Sequence, residues 1–517
     1  MTQKRDKRWG AGRGRGLGRG ILAACALTLP ALLLALACTS TCNKKPVSGV
    51  KPTEPNRPAP DNGSAFAPAP EPAPDGGGNA STAAARPGTP KYFGNVVPVS
   101  QDVANSLRVI ASRGAARNRR VLMKVGDSIT VNCNSFCCFA PAQGKAVDLA
   151  GRTALQATID YFNQVKVGDA TPTTSWDRMS LAAAVGVGSI WPLEGGGSAP
   201  LFKEIEAINP GFAILMLGTN DNSGGTFEYY LGPRAYRTIA GGFVSMVDEL
   251  STRGIVPVIT YIPPVRSDER RSWLTPAINA VLRGVATAKL VPTIDFYTPA
   301  MAIIPGGFGQ DGVHPLAHPT SACLLTEQGL AYGYNVRNLV SLQVLDKVRQ
   351  VVVDAKSAAD PEPPSLVGDG AIATPVQIPS LPFALSVDLS GSATNQLSDY
   401  RACGLQDAAS GKERVFRLTV SEGTPVRAIV APPKGNCKTA SGESDNLCGA
   451  SRDVGLALFE GNPTQGKCVA WDTTRIERWL RPGTYHFVVD SFAGNDQPAY
   501  AIFSVHTCHP DDKACRP

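Results

Sequence analysis

The sequence predicts an α/β domain, a parallel sheet flanked by helices, followed by an all-β sandwich domain. Three observations carry this. Four short apolar runs bounded by turn residues, Val121–Val125, Phe212–Leu217, Ile255–Tyr261 and Leu290–Ile294, read as buried strands. Helical patterns alternate with them, which is the order a parallel sheet with crossover helices requires. After residue 385 the pattern changes to short strands only: Val415–Val420, Val426–Val430, Val454–Phe459, Tyr485–Val489 and Tyr500–Val505, with Pro482-Gly483 as a turn. A chain of 517 residues also exceeds what one hydrophobic core organises.

In chain order, the first element is an address. Seven basic residues and one acidic residue, Asp6, fall in the first 20 positions, so they carry nearly all of the net charge of +7. The rest is close to neutral, which excludes the basic footprint that nucleic acid requires. The basic stretch leads into an apolar run from Ile21 to Ala37 interrupted by Pro30, the layout of an export signal over residues 1–37. Its end, Leu34-Ala35-Leu36-Ala37-Cys38, resembles a bacterial lipobox with Ala35 where the box has Leu. That resemblance implies acylation of Cys38 as the first mature residue, and Thr39 in place of an acidic residue points away from inner-membrane retention. The expected location is extracytoplasmic: a bacterial cell envelope, as an outer-membrane lipoprotein, or secreted.

Thirteen cysteines fit export, and none shows metal-ligand spacing. Residues 38–94 hold 11 prolines between Pro46 and Pro90 and few large apolar residues, a disordered tether. Residues 95–355 form the α/β domain. Its helices are marked by Ile239, Phe243, Val247 and Leu250, by Leu274, Ile278, Val281 and Val285, and by Leu339, Leu342 and Leu345. Residues 356–384, rich in Pro, read as a linker, and 385–517 as the sandwich.

Chemistry in such sheets gathers beyond the carboxyl ends of the strands. There the sequence reads Gly126-Asp127-Ser128-Ile129 after the first strand and Gly218-Thr219-Asn220-Asp221 after the second. Past the fourth it reads Asp311-Gly312-Val313-His314-Pro315. A serine hydroxyl needs an adjacent base, and the three-residue step from Asp311 to His314 lets a carboxylate orient an imidazole. Histidine is scarce: the α/β domain has only His314 and, as reserve, His318. Singly, each block also reads as an ordinary turn.

This ordered set resembles the SGNH/GDSL hydrolases, over residues 95–355. The resemblance implies a flavodoxin-like sheet and a Ser128–His314–Asp311 triad. It also implies an oxyanion hole made by the Ser128 N–H, the Asn220 amide and a backbone N–H for which Gly186 stands nearest. No metal or organic cofactor is expected. Beside the nucleophile, Cys133, Cys137 and Cys138 interrupt the place where the family continues into a helix, and Cys323 follows His314. Two arrangements are open: a disulfide joining the two loops, or pairing within the first loop.

The sandwich, through LRPGTYHFVVDS and YAIFSVHTC, resembles bacterial pre-peptidase C-terminal-like domains. Its six cysteines imply three disulfides, and His486, His506 and His509 are expected on strand surfaces and the tail. The functional expectation is an exported serine esterase acting on O-acyl, in particular O-acetyl, esters of a polysaccharide, envelope glycan or small molecule. It would touch the membrane through the Cys38 lipid anchor. Alternatives are a lipase or acyltransferase on the same triad, or a non-catalytic glycan-binding envelope lipoprotein.

Overall fold

A computed structural model describes residues 96–517, apart from segments 169–172, 223–232, 390–395, 398–399, 404–410, 432–436, 439–443, 446–453, 473–474, 492–499 and 510–511. The expected signal, lipidation site and tether therefore lie outside the described residues. Among the described residues no helix is long and apolar enough to cross a membrane.

The first half is a four-stranded parallel sheet in the order β1 (Asn118–Gly126), β2 (Pro210–Met216), β3 (Val256–Thr260) and β4 (Thr293–Ile294). Each strand lies within or beside one of the expected apolar runs, and β2 and β3 are buried along their whole length. Helices α1 (Gln101–Ser112), α2 (Ser128–Val131), α3 (Gln156–Asn163), α4 (Pro200–Ile208), α5 (Pro233–Thr252), α6 (Glu269–Lys289), α7 (Tyr297–Met301) and α8 (Gly333–Val352) flank it. On the far side of β1 from β2, Ala183 makes an isolated parallel bridge to Gly126.

The second half is a β-sandwich. One sheet has the order β12 (Lys467–Asp472), β11 (Val454–Glu460), β14 (Gly483–Ser491), β7 (Glu413–Val420), β5 (Val376–Gln377). The other has β13 (Arg475–Leu480), β8 (Thr424–Ala431), β15 (Tyr500–Thr507), β6 (Phe383–Asp388). A short hairpin of β9 (Cys437–Lys438) and β10 (Ser444–Asp445) stands apart from both. Phe383, Phe416, Phe487 and Phe503 from the two facing sheets fill the core between them. Ile429 and Ile502 belong instead to the α/β core, so the second sheet lies against α5 and α6.

Two expectations change. The stretch 356–384 is built into both halves: β5 pairs with β7, Asp360 accepts from the Val99 N–H at 2.9 Å and pairs with Lys347, and Glu362 accepts from the Asp102 N–H at 2.7 Å. Proline removes backbone donors, but the carboxylates beside the prolines supply acceptors: Glu362 to an orphan N–H in the first turn of α1, Asp360 to the N–H just before its N-cap. The sandwich histidines are buried: His486 Nδ1 donates to the Gly461 carbonyl at 2.7 Å, and His506 sits inside beside Arg427. Burial first, and the Arg427 charge second, push the His506 imidazole down to about 3, so it stays neutral. Two disulfides, Cys403–Cys468 and Cys508–Cys515, brace this half; the side chains of Cys437 and Cys448 lie outside the described residues.

Candidate active site

The nucleophile turn is shaped by close packing. A Cβ on Gly126 would fall 2.2 Å from Thr130 Oγ1, so only glycine lets the chain turn from β1 into α2 here. Asp127 is the N-cap, its Oδ1 accepting from the Ile129 N–H at 3.0 Å. Ser128 then occupies the first helical position, whose N–H a helix cannot pair internally. Its Oγ lies 2.8 Å from His314 Nε2 across 186 residues of sequence.

His314 Nδ1 lies 2.6 Å from Asp311 Oδ2, and Asp311 Oδ1 accepts from the Val313 and His314 N–H groups at 2.9 and 3.0 Å. Partial burial acts to raise the Asp311 carboxyl. The Val313 N–H, the imidazole and the His314 N–H outweigh it and hold the group below the ordinary range. A carboxylate only accepts, so the Nδ1 proton must point at Asp311, leaving Nε2 of the neutral ring as the acceptor facing Ser128. The reserve candidate, His318, is engaged elsewhere: its Nδ1 accepts from the Thr320 N–H and its ring meets Tyr332.

The second strand-end loop reaches across to the loop that pairs with Gly126. Asn220 Nδ2 donates to the Val187 carbonyl at 3.0 Å, which fixes the plane of its amide. Asp221 accepts from the Ser189 N–H and hydroxyl, both at 2.8 Å. Gly186 precedes Val187, is exposed, and has φ +79° with open space where a Cβ would stand. Asn220 is thus tied to the residue that follows Gly186.

The two cysteine arrangements both occur: Cys133–Cys137 closes the nucleophile loop on itself, and Cys138–Cys323 ties it to the loop after His314. Three side chains that sequence reasoning missed do similar work from α8. Arg337, wholly buried, donates to the Ile129 carbonyl and Thr130 Oγ1 at 2.9 Å each and to Ser135 Oγ, and its guanidinium lies over the Phe136 ring. Asn338 accepts from the Phe136 N–H and donates to the Asn134 and Ala322 carbonyls; Asn335 holds the His318 N–H and the Ser321 and Leu324 carbonyls. The one available signal was this cluster of polar residues inside an otherwise apolar helical pattern. Burial pushes the Asp127 carboxyl up to about 6, against the Ile129 N–H and the positive charge of Arg337. Burial likewise lowers Arg337 to about 10.

The triad is open to solvent: the side chains of His314 and Asp311 are 44% and 52% exposed. Behind the nucleophile turn a cavity of about 10 Å³, lined by Lys124, Thr130, Asn132, Met179 and Ala183 among others, has room for a single water. Among the described residues no cluster of potential metal ligands occurs.

Residues 125–322, which include Ser128, Asn220, Asp311 and His314, match the GDSL-like Lipase/Acylhydrolase family. No curated protein matches the chain. Among solved structures, the chain is similar to a GDSL-like lipase from Bacteroides thetaiotaomicron, at 16% identity over 47% of this chain and 98% of that one, TM-score 0.27. It is similar to an acetylxylan esterase from Geobacillus stearothermophilus, at 13% identity over 45% and 95% of the two chains, TM-score 0.29. A two-domain esterase active on acetylated mannans is similar at 10% identity over 80% and 97%, TM-score 0.27.

Proposed function

We propose that this chain, whose residues 125–322 form a GDSL-like acylhydrolase domain, is an exported serine esterase that removes short acyl groups, acetyl first among them, from a glycan. The observation that carries the reading is the unbroken relay from Ser128 Oγ to His314 Nε2 at 2.8 Å and from His314 Nδ1 to Asp311 Oδ2 at 2.6 Å.

Ser128 Oγ attacks the ester carbonyl as His314 Nε2 takes its proton. Asp311 stabilises the imidazolium that forms and keeps the ring in register. The Ser128 N–H and the Asn220 amide receive the oxyanion, with the N–H of Gly186 as the third donor. The imidazolium returns its proton to the departing alcohol oxygen. Water, deprotonated by the same nitrogen, then frees the acid from Ser128.

One feature favours a bulky hydrophilic alcohol: the exposed triad can meet a polymer surface. Export is supported by the disulfides in both halves, which persist in oxidising compartments. Cys38 would supply a lipid anchor.

Hydrolysis of p-nitrophenyl acetate, butyrate and decanoate by residues 95–517, beside Ser128→Ala and His314→Ala, tests this. Acetate should turn over best, and both variants should lose about a thousandfold or more in kcat. Equal rates for wild type and both variants on every ester would overturn it.

A further inference from the structure

The first two turns of α6 touch three things at once. On one side Asn222, two residues beyond Asn220 and buried, donates from Nδ2 to the Arg271 carbonyl at 2.9 Å and to Thr275 Oγ1 at 3.2 Å. On another, the strand-to-helix loop leading into α6 lies on the His314 loop: the Arg266 N–H donates to the Gly312 carbonyl at 2.6 Å, and a Cβ on Gly312 would stand 2.6 Å from the Ser267 nitrogen. Ser272 Oγ ties that same loop to the helix through the Val265 carbonyl, and Asp268 caps it through the Arg270 and Arg271 N–H groups.

The third contact comes from the sandwich. Trp273 Nε1 donates to the Thr507 carbonyl at 2.9 Å, its ring meets the edge of His509 at 5.7 Å, and His509 Nε2 lies 3.8 Å from Glu269. This tail is itself rigidly held. Cys508–Cys515 closes it, the Cys508 N–H bonds to the Pro425 carbonyl, and Asp512 makes a buried ion pair with Arg427 at 2.9 Å.

We infer that the sandwich is a positioning element of the active site, with its disulfide-closed tail acting through Trp273 and the start of α6 on the loops that carry Asn220 and His314. The tail supplies a fixed surface; Trp273 seats the helix start on it. Asn222 and the Arg266–Gly312 bond pass that position to the oxyanion loop and the base. Trp273 touches no reacting atom in this scheme; it is a positioning residue. The inference rests on the esterase reading for its kinetic arm only.

The experiment uses residues 95–517 with Trp273→Ala and with Trp273→Phe, which keeps a ring but loses the N–H donor. The kinetic arm expects kcat for p-nitrophenyl acetate to fall about 10- to 100-fold in Trp273→Ala with KM within about twofold, and less in Trp273→Phe. The second arm is hydrogen exchange read by mass spectrometry, which needs no turnover. Exchange should rise in peptides covering 218–222 and 309–316 and stay unchanged in β1. If Trp273→Ala does not fold, Trp273→Phe decides both arms. Unchanged exchange in both loops, or Ser128-dependent turnover within twofold of wild type, overturns the inference. A wild type without Ser128-dependent turnover would instead strike the esterase reading and leave the exchange arm to decide this one.

Discussion

Asp127 caps the nucleophile turn at a cost, and replacing it with Asn should make the enzyme more stable at neutral pH. Its carboxyl is buried, and in the folded chain it titrates at about 6 against 3.8 for an unhindered aspartate. Between about pH 4 and pH 6 the folded chain therefore holds a proton that the unfolded chain releases, so its contribution to stability falls as pH rises through that window. The displacement corresponds to about 3 kcal/mol at pH 7. An asparagine keeps an amide oxygen to accept the Ile129 N–H, bonded at 3.0 Å in the wild type, and carries no charge to desolvate. Asp127→Asn should therefore exceed wild type by about 3 kcal/mol at pH 7 and match it near about pH 2.5, where the wild-type carboxyl is almost wholly protonated in both states. Urea unfolding of both proteins at the two pH values, with disulfides intact, measures this difference; other titrating groups cancel between them. A variant equal to wild type at pH 7, or weaker by the same amount at both pH values, would refute the reasoning.

Two further changes act on the same frame. Arg337→Met leaves the Ile129 carbonyl, two hydroxyls and the Asp127 carboxyl without their buried cation, and should cost about 3–5 kcal/mol in urea unfolding, less on an Asp127→Asn background. Replacing Cys138 and Cys323 with Ser opens a loop spanning 185 residues; stability should drop by about 2–5 kcal/mol and kcat should fall, because the nucleophile loop and the His314 loop lose their covalent tie. Unchanged kcat in that variant would show that packing by Asn338 and Asn335 suffices.

How much of this was legible depends on the length scale of each interaction. The Asp311–His314 pair was readable because three residues of chain bring the two groups together, and the sheet was readable because strands buried on both faces must be apolar throughout. Strands β12 and β13 were not. They are the edge strands of their sheets, mostly half-exposed, and KCVAWD and RIERWL carry no apolar run. Histidines 486, 506 and 509 misled for a related reason, since a polar ring can be buried wherever tertiary neighbours make desolvation tolerable.

By itself, the sequence determined the order of the blocks, their places at strand ends, the scarcity of histidine and the shift from alternating elements to strands alone. These are local properties of composition, periodicity and spacing. Only the tertiary structure decided that Ser128 meets His314 across 186 residues, that Cys138 finds Cys323, that Arg337 reaches under the nucleophile turn, and that Trp273 rests on Thr507. Each of those joins partners far apart in the chain, and their meeting depends on how helices and sheets pack, which no short pattern encodes.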